Sequence, residues 1–326
     1  MSALGITVWG LGRHAADRIL PAIASARGLE LRGVCGRDPA RVAAAASRWS
    51  CQGWTDPADM LRDAGVDVVY VATATGYHAE HGAAVIAAGK HLWCEKPLTS
   101  DLQSTVGLIE DSRRLGTAVC EGHMYLYHPQ FRQLADLVAK GRLGELRSVT
   151  CRFGIPPLTF ESFRSDPAAG GGALLDVGCY PVSAILALFH DVQYRLTHAR
   201  VRSRPGSAVD TDGEAVVEFS SGVVAQLEWR TGSAYRNEIS LWGDAASVFT
   251  DKIFSKPADY VPVLELRDVR GSMTLVPCEA ANHFVAMLES FAGCVVDLGR
   301  VEAERRRILG TAELMDRIWR KEEREQ

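Results

Sequence analysis

The chain has 326 residues, of which 47% are hydrophobic and 23% charged, and its 36 basic and 40 acidic side chains leave a net charge of −4. Such a composition belongs to a soluble globular protein, too long for one ordinary domain and sufficient for two. The mild acidity excludes a global pull toward nucleic acid, and no apolar run reaches the roughly 20 residues of a membrane span. The N-terminus passes into Ile6-Thr7-Val8-Trp9 with no basic segment followed by an apolar one, so no secretory leader is expected. Eight cysteines (35, 51, 94, 120, 151, 179, 278 and 294) include no Cys-x-x-Cys pair, which weakens zinc and thiol-redox readings. Several lie in apolar runs, where reduced cysteine acts as a small hydrophobe, and a reducing cytoplasm is the simplest compartment.

Ile6 to Trp9 reads as a short buried strand running into Gly10-Leu11-Gly12-Arg13-His14-Ala15 and then an amphipathic helix with Ala16, Ile19, Leu20 and Ile23. Strand, glycine turn and helix in this order form a dinucleotide fold. Gly10 permits the tight turn, Gly12 lets a pyrophosphate approach the backbone, and Ala15 still allows helix and strand to pack closely. The helix N-terminus then offers its N–H groups to the phosphates. A second strand, Leu29 to Cys35, ends at Gly36-Arg37-Asp38-Pro39. A small residue at this tip leaves room for a 2′-phosphate and a guanidinium can pair with it, so Arg37 points to NADP rather than NAD. The alternative is an exposed turn arginine, with Asp38 serving as the acidic ribose ligand one place late.

Arg41 to Trp49 predicts a helix, and Trp54-Thr55-Asp56-Pro57 a helix start capped by Asp56. Val66 to Ala72 is the next strand, opening into Thr73-Ala74-Thr75-Gly76-Tyr77-His78 at the carboxyl end of the sheet, where ligands bind in such folds. A helix over Ala79 to Ala88 stops at Gly89. The run His91-Leu92-Trp93-Cys94 leads to Glu95-Lys96-Pro97, then come a helix around Leu102 to Leu115 and a strand at Ala118 to Cys120. The alternation predicts a doubly wound parallel sheet of six βα units. His78 and His81 lack a third ligand nearby, so no metal is expected, and His78 reads as a loop donor near the cofactor or as a cap. A lysine at the mouth of a buried strand is costly without a partner or a task, and Pro97 fixes the chain behind it. Lys96 is thus either presented rigidly above the sheet edge or is a surface lysine starting a turn.

The chain crosses near Gly122 through His123-Met124-Tyr125-Leu126-Tyr127-His128-Pro129, whose aromatic residues read as junction packing or pocket lining. Gln130 to Lys140 predicts a helix closed by Gly141, and Leu146 to Phe153 a strand. From about residue 194 the pattern alternates as in antiparallel strands, over Gly213 to Phe219, Val223 to Trp229, Asn237 to Leu241 and Val261 to Leu266. Such a sheet can cover a core on one face and a partner subunit on the other. Asn282 to Val295 and Glu302 to Trp319 predict closing helices, and Arg320 to Gln326 a fraying end. Asp176 and Tyr180, four apart near a helix start where Pro181 suits an early position, share a face. The glycines before them let the backbone pass close to a ligand. Read alone, Asp176 could equally be a helix cap and Tyr180 a half-buried core residue.

Gly10-x-Gly12-x-x-Ala15, the run Ala87-Ala88-Gly89-Lys90-His91 leading to Glu95-Lys96-Pro97, and Gly170-Gly171-Gly172-Ala173-Leu174-Leu175-Asp176-Val177-Gly178-Cys179-Tyr180-Pro181 together carry a resemblance. The chain resembles, over its whole length, the glucose–fructose oxidoreductase, inositol dehydrogenase and rhizopine-catabolism family of NAD(P)-dependent oxidoreductases. Many relatives have Asp-x-Gly-x-His-x-x-Asp where this chain has Tyr180 and Ser183. That departure excludes an inositol dehydrogenase site and is similar to the tyrosine-containing sugar 3-ketoreductase, D-xylose dehydrogenase and dihydrodiol dehydrogenase branches.

The resemblance implies an α/β fold: an N-terminal Rossmann doubly wound parallel sheet (residues 1–122) binding NADP(H), with NAD(H) second. An α+β domain with an open, mostly antiparallel sheet (123–326) would bind a sugar or sugar-nucleotide substrate and form a homodimer or homotetramer, with no nucleic acid or membrane partner. It implies Lys96 and Tyr180 as catalytic groups, Tyr180 as proton donor or acceptor, and Asp176 orienting a substrate hydroxyl or Lys96. Cofactor contacts are expected from Gly10, Leu11, Gly12, Arg13, His14, Ala15, Arg37, Thr73, His78, Glu95, Lys96 and the pair Phe163-Arg164. Arg164 could instead be a surface loop arginine. Ile155-Pro156-Pro157-Leu158 resembles a substrate-side wall of the ketoreductase branch. The competing function is a cofactor-binding regulator that kept the fold and lost catalysis.

Overall fold

The β-branched residues that open the chain are fully buried in the computed structural model, which describes residues 3–157 and 162–325 and the side chains up to Lys321. They form β1 (Leu4–Trp9), followed by a π-helical turn (Ala15–Ile19) that continues into α1 (Leu20–Ser25). Then come β2 (Leu29–Cys35), α2 (Pro39–Trp49), β3 (Gln52–Trp54), α3 (Pro57–Arg62), β4 (Val68–Val71), α4 (His78–Ala87), β5 (His91–Cys94), α5 (Leu102–Leu115) and β6 (Val119–Glu121). The six strands form a parallel sheet in the order β3-β2-β1-β4-β5-β6. The order reverses direction beside β1, which makes the β1 and β4 loops the ligand crevice of such a sheet.

Local chemistry sets most of these boundaries. Asp38, Asp56 and Asp101 accept backbone N–H bonds at the starts of α2, α3 and α5, and Gly116 ends α5 in a left-handed conformation. The sequence reading missed β3, placing Trp54 in a helix start. Trp54 instead lies on β2, its ring filling the space that Gly33 leaves by lacking a Cβ.

In the rest of the chain, α6 (Pro129–Ala139) precedes β7 (Leu146–Ile155), and a second π-helical turn (Leu174–Gly178) leads into α7 (Cys179–Leu188). The sheet is completed by β8 (Tyr194–Arg202), β9 (Asp212–Phe219), β10 (Val224–Thr231), β11 (Arg236–Gly243), β12 (Ala246–Asp251), β13 (Val263–Asp268) and β14 (Met273–Pro277). Its order is β14-β13-β12-β11-β7-β10-β9-β8, antiparallel except for the β7–β10 pair. Strands β12 and β14 were not expected. One face buries Val149, Cys151, Leu227, Trp229, Ile239 and Leu241 and packs on α7. The other face is charged at its centre, where Arg152 bridges Glu228 and Glu238 at 2.9 and 3.3 Å, and carries the exposed Trp242.

The chain closes with α8 (His283–Cys294) and α9 (Leu298–Glu325). It divides into two compact units: residues up to His123 together with Phe284–Leu309, and Met124–His283 together with the residues from Gly310 on. Residues 284–309, expected in the C-terminal domain, therefore group with the parallel sheet. Phe291 meets Trp93 edge-on, Arg305 donates to Ser112 Oγ and the Thr117 carbonyl, and Ile308 joins the core of that unit.

Trp229 also explains two glycines. Gly213 faces it across the β9–β10 ladder, and Gly178 of the π-helical turn lies against its indole. A Cβ at Gly213 would overlap the Trp229 ring and lie 2.8 Å from the Arg200 carbonyl oxygen. Gly213→Ala is expected to lower stability by about 1–3 kcal/mol, read from the shift of the urea unfolding midpoint.

Candidate active site

The glycine turn after β1 is built as the sequence predicts. Gly10 has φ +111°, and a Cβ there would sit 2.7 Å from the Ala72 carbonyl carbon at the end of β4. Gly12 has no neighbour within 4 Å of where a Cβ would be, so its backbone is open to a ligand. Leu11, Arg13 and His14 line the solvent side of the turn, whereas Ala15 is buried against the sheet. Arg37 is exposed at the tip of β2. Asp38 is occupied: its carboxylate accepts from the Ala40 and Arg41 amides at 3.0 and 3.2 Å, so the turn arginine is the better placed ligand of the two.

At the ends of β4 and β5 the polar groups hold one another. Thr73 Oγ1 lies 3.1 Å from His81 Nδ1, and the His81 ring stacks on Trp9. His78 is buried, with Nδ1 3.0 Å from the Pro97 carbonyl and Nε2 3.1 Å from the Thr73 carbonyl. Both ring nitrogens are thus directed at backbone oxygens. The expected direct contact of His78 with a cofactor gives way to a tie between two loops, and burial pushes its pKa down. Among the described residues no three His, Cys, Asp or Glu side chains group to hold a metal ion.

Glu95 accepts from His14 Nε2 at 2.9 Å and from Tyr70 Oη at 2.7 Å. Burial favours its neutral form, but His14, Tyr70 and Lys96 outweigh that and bring its pKa to about 2. Lys96 follows, half-buried, and joins Pro97 through a cis peptide bond. The Leu98 amide donates to Glu121 Oε1 at 2.8 Å. Glu121 Oε2 accepts from His123 Nδ1 at 2.9 Å and from Arg307 at 3.3 Å. Sequence reasoning missed Glu121, Tyr70 and Arg307.

The second unit prepares its own residues. Gly172 has φ +121°, and a Cβ there would collide with Asp210 Oδ1. Asp210 caps the helical segment: its carbonyl accepts from Ala173 N at 2.9 Å and its Oδ2 from Leu174 N at 2.7 Å. Pro181 was expected at a helix start, but the segment begins earlier, and the i→i+5 bond from the Cys179 amide to the Leu174 carbonyl accommodates a proline that cannot donate. The same device precedes Pro21.

Asp176 binds Arg164 Nε at 2.7 Å rather than capping the helix, and the Arg164 guanidinium lies 4.9 Å over the Phe163 ring. Tyr180 is 7% exposed and ringed by Tyr125, Phe153 and Phe254, with its hydroxyl 3.8 Å from Met124 Sδ. Ser183, in place of the relatives' acid, donates to the Tyr180 carbonyl at 3.0 Å and bonds Tyr125 Oη at 2.7 Å. His123, Tyr125, Tyr127 and His128 are buried. Leu158 of the expected substrate-side wall and Gln326 of the tail lie outside the described residues.

A glycine-turn parallel sheet with a lysine at one strand end, followed by an acid–tyrosine helix on an open sheet, defines a dinucleotide-dependent oxidoreductase. Residues 4–123 match the oxidoreductase family with an NAD-binding Rossmann fold, and residues 131–249 match the GFO/IDH/MocA C-terminal domain. The chain belongs to the GFO/IDH/MocA oxidoreductase family. It is similar to the dTDP-3,4-didehydro-2,6-dideoxy-alpha-D-glucose 3-reductase of Saccharopolyspora spinosa, 34% identical over 80% of this chain and 78% of the relative. It is also similar to a D-xylose 1-dehydrogenase (NADP(+)) of Haloferax volcanii, 33% identical over 64% of each chain. The solved structure of KijD10, a 3-ketoreductase from Actinomadura kijaniata in complex with NADP and TDP-benzene, aligns over 98% of both chains with a TM-score of 0.92 and 30% identity.

Asp210 gives the site a pH signature. Burial raises its pKa to about 6, against the pull of the amides it accepts from and with Asp212 adding to the rise. The folded state therefore holds a proton that an unfolded aspartate releases near pH ~4. Stability from this group is present at low pH and is lost as pH rises from about 4 through about 6. Asp210→Asn keeps an oxygen for the Leu174 amide. The stability difference between wild type and this variant is expected to change by on the order of 2 kcal/mol between pH 4 and 7, with the variant gaining on wild type as pH rises. Urea midpoints at each pH check this.

Proposed function

We propose that the chain is an NADP(H)-dependent ketoreductase of nucleotide-linked sugars, acting on a carbonyl or alcohol carbon of the sugar ring. The observation that carries this reading is the near-complete alignment with a 3-ketoreductase bound to NADP and TDP-benzene. It is supported by the tyrosine and lysine retained here, the residue types replaced in two further structures of that relative. The residues fit the coenzyme: open backbone at Gly12, a helix N-terminus from Arg13 on, and an exposed guanidinium at Arg37. Gly10, Leu11, Gly12, Arg13, His14 and Ala15 would hold the pyrophosphate, Arg37 the 2′-phosphate, and Thr73 and Glu95 the nicotinamide end. When bound, the nicotinamide supplies or accepts the hydride.

Tyr180 gives the substrate oxygen its proton in reduction and takes it in oxidation. A phenol has an unperturbed pKa of roughly 10, and the role proposed for the Lys96 ammonium is to stabilise the alkoxide that develops on the substrate. The aromatic ring of Tyr125, Phe153 and Phe254 keeps water from the phenol. Asp176, held by Arg164, orients a substrate hydroxyl. The second reading, a free-sugar dehydrogenase, is favoured by the likeness to the D-xylose enzyme. None of the eight cysteines is in a disulfide, which suits the cytoplasm. The outer face of the open sheet, with Trp242 exposed, would form the contact of a homodimer or homotetramer.

NADPH oxidation with a TDP-linked 3-ketosugar, compared with NADP reduction by D-xylose, separates the two readings. Tyr180→Phe is expected to lower kcat by about 10²–10⁴-fold while NADPH affinity, measured by fluorescence titration, stays the same. Wild-type turnover in that variant would remove Tyr180 from the mechanism. Arg37→Ala is expected to weaken NADPH binding on the order of tenfold to a hundredfold and to leave NADH unchanged. A preference for NADH that the substitution does not alter defeats the reading of this loop.

A further inference from the structure

Because Pro97 has no N–H, the Leu98 amide is the first donor after Lys96 that can fix the turn. That amide is held by Glu121, the last residue of β6, which sits in register beside Cys94 and is 2% exposed. We propose that Glu121 is the positioning residue for Lys96, setting where the ammonium stands by anchoring the chain two residues beyond it. The proposal rests on the role given to Lys96 above.

The anchoring works from both sides. Before Lys96, the Glu95 amide donates to the Val71 carbonyl at 2.9 Å, which fixes the strand end. After it, the Pro97 carbonyl faces His78 Nδ1 and the Leu98 amide faces Glu121. Of these ties, the one to Glu121 runs through a side chain of the adjacent strand β6, so the length of that side chain sets how far the turn is drawn in. A buried carboxylate is costly unless it is paired and hydrogen-bonded. Burial works against its charge, but His123, Arg307 and the Leu98 amide prevail and hold its pKa at about 2. His123 is itself pushed down by burial, so at neutral pH it contributes an uncharged N–H and Arg307 is the cation. Arg307 also donates to the Glu121 carbonyl at 3.4 Å and to Glu304 at 2.7 Å. A whole set of side chains thus serves to keep one acceptor in place at the lysine turn.

Two conservative variants separate reach from charge. Glu121→Asp keeps the charge opposite Arg307 but withdraws the acceptor from the Leu98 amide by one methylene. Glu121→Gln keeps an oxygen at full reach, while Arg307 retains Glu304. With NADPH and the ketosugar as probes, Glu121→Asp is expected to lower kcat by about tenfold or more, with NADPH affinity unchanged, and Glu121→Gln to stay within about fivefold of wild type. In a Lys96→Ala background Glu121→Asp should cost less than about twofold, because an anchor for an absent ammonium has nothing to position.

The reverse order, with Asp near wild type and Gln impaired, would assign the role to the charge and overturn the proposal. Equal losses with and without Lys96 would make Glu121 merely structural and also overturn it. A Lys96→Ala enzyme with wild-type turnover would end both this inference and the reading of Lys96. Additive losses in an enzyme that does need Lys96 would end this inference alone.

Discussion

Two carboxylates kept ionised inside the protein, at the ends of adjacent parallel strands, are the constraint around which the first unit is arranged. Glu95 at the end of β5 and Glu121 at the end of β6 flank the lysine turn, and each has its pKa held at about 2 despite burial. That needs partners, and the fold brings them from distant parts of the chain. His14 comes from the glycine turn, Tyr70 from β4, and Arg307 from α9, which is why residues 284–309 belong with the parallel sheet. Remove that helical return and Glu121 would face burial without its cation, the most expensive arrangement open to a carboxylate.

The second unit solves its placement problem by shape instead of charge. Trp229 is fully buried, leaves no room for a Cβ at position 213 and packs tightly against Gly178. Gly178 lies in the π-helical turn that carries Asp176, so the packing of one indole fixes the height of that turn over the sheet. The wider turn accommodates Pro181, and Ser183 ties the carbonyl of Tyr180 to Tyr125. The tyrosine is thereby fixed by its backbone, with its hydroxyl 3.8 Å from Met124 Sδ.

Where the sequence was legible, the signal was local. The limits of β2 and α5 fell where the sequence placed them, and in the structure Asp101 and Gly116 cap α5. Gly10, Lys96, Asp176 and Tyr180 stood out because each sits in a short run whose chemistry is visible without the fold. The strand β3 has three residues, too few to show a period, and β14 has a largely exposed face, so neither had a hydrophobic alternation to find. Glu121 and Asp210 escaped for another reason. Their partners Leu98 and Leu174 lie 23 and 36 residues away, and nothing near either acid distinguishes it from a surface carboxylate until the strands are assembled. The grouping of residues 284–309 with the first unit is likewise a tertiary fact, carried by Phe291, Arg305 and Ile308 packing on groups some two hundred positions earlier or less.

Glu121 and Asp210 do the same structural work, each accepting a backbone amide at the edge of a functional segment, yet burial leaves one ionised and drives the other toward neutrality. The difference lies in the partners. Glu121 accepts from His123 and faces Arg307, whereas among the described residues Asp210 accepts from amides, with Asp212 as a neighbouring charge. At Asp210 the amides do not repay the desolvation, whereas at Glu121 His123, Arg307 and the Leu98 amide together do. The lysine turn is therefore anchored identically across the whole range in which an enzyme works, since its acceptor does not titrate there. The cap of the tyrosine helix, in contrast, changes charge near pH 6. Of the two segments, the one bearing Tyr180 is the one whose support answers to pH.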